Sequence, residues 1–390
     1  MKTVAEDIVY IGVDDDELDL FESQYVVPEG ISYNSYLIRD SKLAVMDTAD
    51  ARKTSEWLAH LEEALEGRTP DYLIMHHVEP DHSGSVSALV QKYPGITVVA
   101  TAMALKFLGQ FQPGLSFASL TVKEGDTLEL GRHSLRFVTA PMVHWPEVMF
   151  SFDAATGTLF SADAFGKFGS LSRCGYFGDE DGDWACEARR YYFNICGKYG
   201  PQVASALKKM GEPSVIAPLH GPVLRKNLEE YISLYHTWSS YQPETEGVFV
   251  AYASIHGGTA EAASALADIL KKKGCPKVAM SDLTRDDMAE AVEDAFRYGK
   301  MVLAAASYDA GLFTPAHNFL HTLQAKAYQN RKVALVENGT WAPSAGRVMK
   351  EMLSAMKNVE VVGDLVTIRS RMTPADVPSL EALADAILNA

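Results

Sequence analysis

Beyond residue 247 the sequence alternates regularly between two kinds of segment. The apolar runs GVFVAYAS, KVAM, MVLAAAS, KVALVE and VEVVG each precede a stretch with helical character. Five such β and α units in succession predict a doubly wound, five-stranded parallel sheet with helices on its faces. Just ahead of them, residues 236–247 (HTWSSYQPETEG) are polar and carry Pro243 and Gly247. This places a boundary near 245 and divides the chain into domains 1–245 and 246–390. A length of 390 residues, more than one domain usually holds, agrees with two.

The first domain mixes strands with helices. SYNSYLIRD and SKLAVMDTA read as a hairpin, followed by a helix with Trp57, Leu58, Leu61 and Leu65 on one face. DYLIMHH reads as a strand, SVSALVQKY as a helix and ITVVA as a strand. SLRFVTA, EVMFSFDA and GTLFSADA are three further strands; a long helical stretch spans roughly 183–211, and SVIAP is a last short strand. Helices flanking sheets are expected.

Charge and composition exclude several classes. Hydrophobic residues make up 47% of the chain and charged ones 22%, enough for sizeable cores and unlike a disordered chain. The formal net charge of -16 argues against nucleic acid or an anionic membrane surface as the main partner. No apolar run approaches the roughly 20 residues of a membrane span. The start turns acidic where an export signal would be apolar, so a cytoplasmic protein is expected. Cys174, Cys186, Cys196 and Cys275 form no C-x-x-C pair and read as packing residues in a reducing compartment.

The chemistry concentrates in residues 76–85, HHVEPDHSGS. His77, Glu79, Asp81 and His82 put four potential metal ligands in six positions, just past a strand. His144 in TAPMVHWPE, Asp163 in LFSADAFG and His220 in IAPLHGP also follow strands. Strand ends of this kind commonly converge on one edge of an α/β layer. Gly84, Pro141, Pro218 and Gly221 let the backbone turn tightly beside them. Three carboxylates and four imidazoles suit two metals with open positions, roughly 3.5–4 Å apart, with Asp163 the best bridge. A mixed carboxylate and imidazole set suits iron better than zinc. His76 points away from His77 by strand alternation and is set aside as a supporting residue.

The order His-x-Glu-x-Asp-His, then His, Asp and His, resembles the metallo-β-lactamase superfamily. Glu79, where its hydrolases usually carry histidine, and the adjoining P-D-H-S-G resemble the flavodiiron proteins, also called A-type flavoproteins. The resemblance implies an N-terminal metallo-β-lactamase-like αββα sandwich and a C-terminal flavodoxin-like domain. It implies that His77, Glu79 and His144 hold one iron and Asp81, His82 and His220 the other, bridged by Asp163.

In the second domain, S-I-H-G-G-T at Ser254, Ile255, His256, Gly257, Gly258 and Thr259 follows the first strand and opens a helix. Hydroxyls, glycines and helix-end amides there make a phosphate cradle. The flavodoxin resemblance implies FMN at the sheet's switch point. Its loops would include Ser307, Tyr308 and Asp309 after the third strand, and Asn338, Gly339, Thr340 and Trp341 after the fourth. Tyr308 and Trp341 are suited to stack on the flavin ring. The family's third-strand loop often resembles P-T-Y-N, and here it is S-Y-D.

The implied activity is reduction of dioxygen to water, of nitric oxide to nitrous oxide, or both, in a head-to-tail homodimer that could pair further into a dimer of dimers. The chain ends at Ala390 after a helix-like segment, so an external donor such as rubredoxin or an NADH-dependent reductase is expected. The competing expectation is a zinc hydrolase with a repurposed flavodoxin domain, in which metal-bound hydroxide attacks a carbonyl. A third is a flavin electron carrier with a vestigial metal site.

Overall fold

The computed structural model describes residues 2–390 and divides into two compact units, the first ending at His236 and the second comprising Thr237–Ala390. The first unit is built on two sheets. One has seven strands in the order Lys2–Ala5, Ile8–Tyr10, Tyr36–Arg39, Leu43–Met46, Tyr72–Ile74, Thr97–Ala100 and Ala118–Thr121. Its first half is antiparallel; from Leu43–Met46 onward the pairs are parallel. The other sheet runs Thr127–Glu129, Ser134–Thr139, Met149–Asp153, Thr158–Phe160 and Val215–Ala217, antiparallel until its last, parallel pair.

Alternation along the strands decides which side chains face inward. Ile8, Tyr36, Ile38, Ala44, Met46, Ile74 and Val99 of the first sheet share one apolar cluster with Leu135, Phe137, Met149, Phe160 and Ala217 of the second. The two sheets therefore pack face to face, with helices such as Thr54–Leu65 carrying the outer layers; Trp57 and Leu61 of that helix are fully buried. This is the αββα sandwich expected from the resemblance. The parallel strands Leu43–Met46 and Tyr72–Ile74 end at the same edge as Thr158–Phe160 and Val215–Ala217, and the polar residues that follow all four meet there.

The second unit orders its strands Val278–Asp282, Thr245–Ala253, Tyr298–Tyr308, Arg331–Asn338 and Val359–Val361, all parallel. Val248, Val250, Val302, Ala304, Ala334 and Val336 face the helices Gly258–Lys272 and Val377–Leu388. Phe249 faces the other way and meets Phe319 with ring centroids 6.4 Å apart. Burial on both faces is why these strands read as continuous apolar runs.

Four local features differ from the sequence reading. The stretch 183–211 is two helices, Trp184–Ile195 and Gly200–Lys209, with a 3-10 turn Gly197–Tyr199 between them. A helix Ala102–Phe111 and an edge strand Ala118–Thr121 fill a region left unassigned. The fifth strand position is filled twice: Val359–Val361 pairs with the start of Arg331–Asn338, and Val366–Ile368 with its end. Gly363, with φ of 70°, turns the chain between them. Finally, a helix not assigned from the sequence, Leu228–Ser239, runs into the polar segment near the boundary. Its continuation belongs to the second unit, where Arg331 Nη1 donates to the Tyr241 carbonyl at 2.6 Å and Glu244 N to the Arg297 carbonyl at 2.9 Å.

Phe137→Ala empties a fully buried position between the two sheets of the first unit. It is expected to cost about 3–5 kcal/mol, seen as a lower urea midpoint with little change in denaturant slope.

Candidate functional site

The ligand segment hangs between Tyr72–Ile74 and a short helix, Pro80–Ser83, that starts with proline. Pro80 pre-sets the helical φ and lacks the amide that a helix start leaves unused. The turn carries Asp81 and His82 inward. Gly84 passes so close to Ala51 that a Cβ would lie 2.5 Å from its amide nitrogen, so only glycine fits there.

All seven sequence-selected residues meet at this edge. His77 Nε2 lies 3.1 Å from Glu79 Oε2 and 3.5 Å from Asp163 Oδ2. His144 Nε2 is 3.1 Å from each of the same two oxygens. On the other side His82 Nε2 lies 3.4 Å from Asp81 Oδ2 and 3.1 Å from Asp163 Oδ1. His220 Nε2 is 3.2 Å from Asp81 Oδ2 and 3.8 Å from Asp163 Oδ1. The seven thus form two sets, and Asp163 gives one carboxylate oxygen to each. Each set, His77–Glu79–His144–Asp163 and Asp81–His82–His220, has donor atoms within 4.8 Å of one another.

The contacts behind the rings determine which nitrogen faces inward. His220 Nδ1 is 2.7 Å from the Ser32 carbonyl, which only accepts, so Nδ1 carries the hydrogen. His77 Nδ1 likewise donates to Glu147 Oε1 at 2.6 Å. In their neutral forms both rings turn a bare Nε2 lone pair toward carboxylate oxygens. Lone pairs facing lone pairs repel unless a proton or a cation lies between them. Several of these atoms are buried without a hydrogen-bond partner among the described residues: both Asp81 oxygens, Asp163 Oδ1, both His82 ring nitrogens and His220 Nε2. Such orphaned donors and acceptors are costly. Two divalent cations held by carboxylate and imidazole would satisfy Asp81 Oδ2, Asp163 Oδ1, His82 Nε2 and His220 Nε2, so the residues fit a two-metal site.

The titration behaviour tells the same story with protons. Burial pushes His77, His82 and His144 down, but the surrounding carboxylates outweigh it: His77 and His82 are raised, and His144 reaches about 9. Burial pushes the Glu79 carboxyl up, yet hydrogen bonds from His144 and His77 hold it well below the usual range. Burial likewise opposes ionisation of Asp163, and His82 and His77 overcome it. The pocket attracts positive charge; metal ions would displace these protons on binding.

Sequence reasoning missed the supports. Glu147, only 2% exposed, accepts from His77 Nδ1 and, at 3.2 Å, from the Val78 amide. It stands three residues after His144 in H-W-P-E, so proximity could have flagged it. Trp145 sets its ring edge-on to His77, centroids 5.2 Å apart. Phe21, Tyr191 and Tyr33 surround His220 at centroid distances of 5.3, 5.7 and 6.1 Å. No local signal could have supplied these, since they come from distant parts of the chain.

The loops expected to hold a flavin also follow strand ends. Ser254–Gly257 links the strand ending at Ala253 to the helix starting at Gly258, and Gly257 adopts φ of 87°. Ser254 Oγ accepts from Gly257 N at 3.1 Å, curling the loop. Thr259 is buried, while Ile255 is 39% and Trp341 88% exposed. Tyr308 is half exposed, and Asp309 beside it has φ of 48°. Ser307 and Asn338 have structural duties: Ser307 Oγ accepts from Ser344 N and Ala345 N, and the Asn338 amide exchanges hydrogen bonds with Ser370. Gly258 lets the Ser370 carbonyl come within 2.0 Å of where a Cβ would be, and Gly339 packs against Pro343. Thr340 Oγ1 is 2.9 Å from Ser370 Oγ. The loop at Ser370, which the sequence reading did not select, therefore braces the first and third of these loops, at Gly258 and at Asn338–Thr340. An indole left almost wholly exposed beside a helix start suits a planar, phosphate-bearing ligand.

Residues 31–221 match the family model described as ODP family beta lactamase. Diflavin flavoprotein A 1 of Synechocystis sp. (strain ATCC 27184 / PCC 6803 / Kazusa) is 37% identical over 301 residues, covering 75% of this chain and 51% of that protein. The anaerobic nitric oxide reductase flavorubredoxin of Vibrio vulnificus (strain YJ016) is 28% identical over 87% of this chain and 70% of its own. The rubredoxin oxygen:oxidoreductase from the anaerobe Desulfovibrio gigas has the same fold, with a TM-score of 0.93 at 24% identity over 100% of this chain and 98% of that one. Solved flavodiiron proteins share it as well. The chain thus matches the ODP beta-lactamase family over residues 31–221 and has the fold of the solved flavodiiron proteins along its whole length. It spans about half the length of the diflavin relative, so that protein's remaining half has no counterpart in the alignment. Among the described residues no helix is long and apolar enough to cross a membrane.

Glu147→Gln keeps the shape of the support behind His77 but removes its charge. Partners of this kind are worth about 10–100-fold in metal affinity, and a loss in that range is expected when the variant competes with a chelator for ferrous ion. Unchanged affinity would mean that the carboxylate does not hold the ring.

Proposed function

We propose that this chain is an oxidoreductase that carries FMN and two iron ions and reduces dioxygen to water, nitric oxide to nitrous oxide, or both. One observation carries the reading: Asp163 is shared, oxygen by oxygen, between two sets of imidazole nitrogens and carboxylate oxygens that face one another, and on the Asp81–His82–His220 side those atoms are buried without partners among the described residues. In this reading His77, Glu79 and His144 hold one iron, Asp81, His82 and His220 the other, and Asp163 bridges. Ser254–Thr259, Ser307–Asp309 and Asn338–Trp341 line the FMN site.

Two ferrous ions and a reduced flavin together hold the four electrons that take dioxygen, with four protons, to two waters; two electrons and two protons join two nitric oxides into nitrous oxide and one water. The chain's own residues prepare the site for this. Glu147 and the Ser32 carbonyl fix the rings of His77 and His220, so their Nε2 atoms point inward before any ligand arrives. Phe21, Tyr33 and Tyr191 wall the His220 side, and Trp145 covers His77, which keeps water out and strengthens the local electrostatics. Three carboxylates offset the charge of two cations, which favours a site able to pass between oxidation states.

Electrons come from an external donor, for which rubredoxin or an NADH-dependent reductase is the expected class. A head-to-tail homodimer pairs the flavin of one copy with the metal site of the other.

Protein from iron-supplied cells is expected to hold about two irons and about one FMN per chain, by elemental analysis and released-flavin absorbance. Reduced protein mixed anaerobically with each gas then identifies the substrate. His82→Ala and His220→Ala should abolish gas consumption while the flavin still accepts electrons. Two zinc ions and no flavin would instead establish the hydrolase reading.

A further inference from the structure

His76 is fully buried and belongs to neither set of the metal site. It nevertheless uses every polar group it has. Its amide donates to Asp47 Oδ1 at 2.8 Å, and its ring Nδ1 lies 2.5 Å from Asp47 Oδ2. A carboxylate accepts, so Nδ1 carries the hydrogen, and Nε2 accepts from the Ser151 hydroxyl at 2.7 Å. The His76 carbonyl accepts from the Met149 amide at 3.1 Å. Two of the four bonds go to Asp47, which follows the strand Leu43–Met46 of the seven-stranded sheet. The other two go to Met149–Asp153 of the five-stranded sheet. The ring also stacks on Phe160 of that second sheet, centroids 6.0 Å apart.

What this tie connects is specific. Asp47 Oδ1 also accepts from the His77 amide at 3.3 Å, and Asp47 holds φ of 55°, a left-handed conformation uncommon outside glycine. Met149 is the first residue after the loop that carries His144 and Glu147. His76 therefore joins the start of the His77–Glu79 segment to the loop bearing His144 and Glu147. The residues of the other set rest on different groups, none of them bonded to His76: the His82 carbonyl accepts from Thr48 N and Oγ1, one residue along from Asp47, at 3.0 and 2.6 Å, and His220 leans on Ser32.

We propose that His76, with Asp47 and Ser151, is a positioning residue that sets the distance between His77–Glu79 and His144, and so tunes one of the two metal positions and not the other. This rests on the two-metal reading above. An apolar side chain would fill the space between the sheets at less desolvation cost. A histidine bonded at both ring nitrogens instead fixes direction as well as distance, which is what a metal site requires of its supports.

The test uses the iron-loaded wild type and two variants, Ser151→Ala and His76→Phe, reduced anaerobically and challenged with ferrozine to time iron release. Ser151→Ala leaves the His76–Asp47 pair intact and guards against a His76→Phe chain that does not fold. Expected is a split: about one iron of two leaves roughly tenfold faster, the other at the wild-type rate. Ser151→Thr, which restores a hydroxyl, should restore slow release. In Mössbauer spectra of Ser151→Ala only one iron signal should change. Acceleration of both irons together, or of neither, in a variant with the wild-type melting profile overturns the proposal. A wild type that yields no iron would overturn the two-metal reading itself, and the two failures are distinguished by that control.

Discussion

A carboxylate buried among histidines is the constraint on which the first unit depends. Asp163 is 1% exposed, and its two oxygens face four different imidazoles. Removing a carboxylate from water costs several kcal/mol even after the protein relaxes. Nothing in the apolar core beneath it returns that cost, since Phe160 and Ala217 offer no hydrogen. The surrounding cationic or metal-bound imidazoles must supply it, and so they must arrive from both sheets at one edge. The sandwich provides this: parallel pairs in each sheet deliver Asp47–Thr48, the His77–His82 segment, Asp163 and His220 to the same side.

Convergence alone would leave flexible side chains. The chain adds a contact behind almost every inward-facing group. Glu147 stands behind His77, the Ser32 carbonyl behind His220, and Thr48 behind the His82 backbone. Each contact spans a large sequence separation, so each also pins two remote parts of the fold together. Stability and function are coupled at these points: a loosened support costs a hydrogen bond and lets the inward nitrogen drift.

The seven residues that converge on the candidate site were legible in the sequence because they are local in character. His77, Glu79, Asp81 and His82 are close neighbours, and His144, Asp163 and His220 each follow an apolar run that reads as a strand. The regular βα rhythm after 247 was legible for the same reason. The supports were not. Asp47 and Ser151 meet His76 from 29 and 75 residues away, and only the folded sandwich makes them neighbours. Helix breaks were misread where the amino acids are ambiguous. Within 183–211 the apolar spacing continues through Cys196 and Tyr199, and the 3-10 turn at Gly197–Tyr199 is a backbone event that periodicity does not report. The second piece of the fifth strand, Val366–Ile368, is too short to stand out until pairing with Arg331–Asn338 recruits it.

The two candidate sites are prepared to different degrees, and the difference follows from what each would bind. Metal ligation tolerates errors of a few tenths of an ångström, so the groups of the first unit are buried, oriented and braced before anything binds. A flavin offers a large planar surface and a phosphate, so recognition can be spread over backbone amides and stacked rings. The second unit matches that demand. Its polar side chains Ser307 and Asn338 are spent on holding loops to Ser344 and Ser370, leaving Tyr308 and Trp341 uncovered. Side chains fix the loop shapes, and the ligand would meet mainly amides and aromatic faces. Substituting a single residue in that unit should therefore act through loop shape, whereas in the first unit a single residue is itself a candidate ligand.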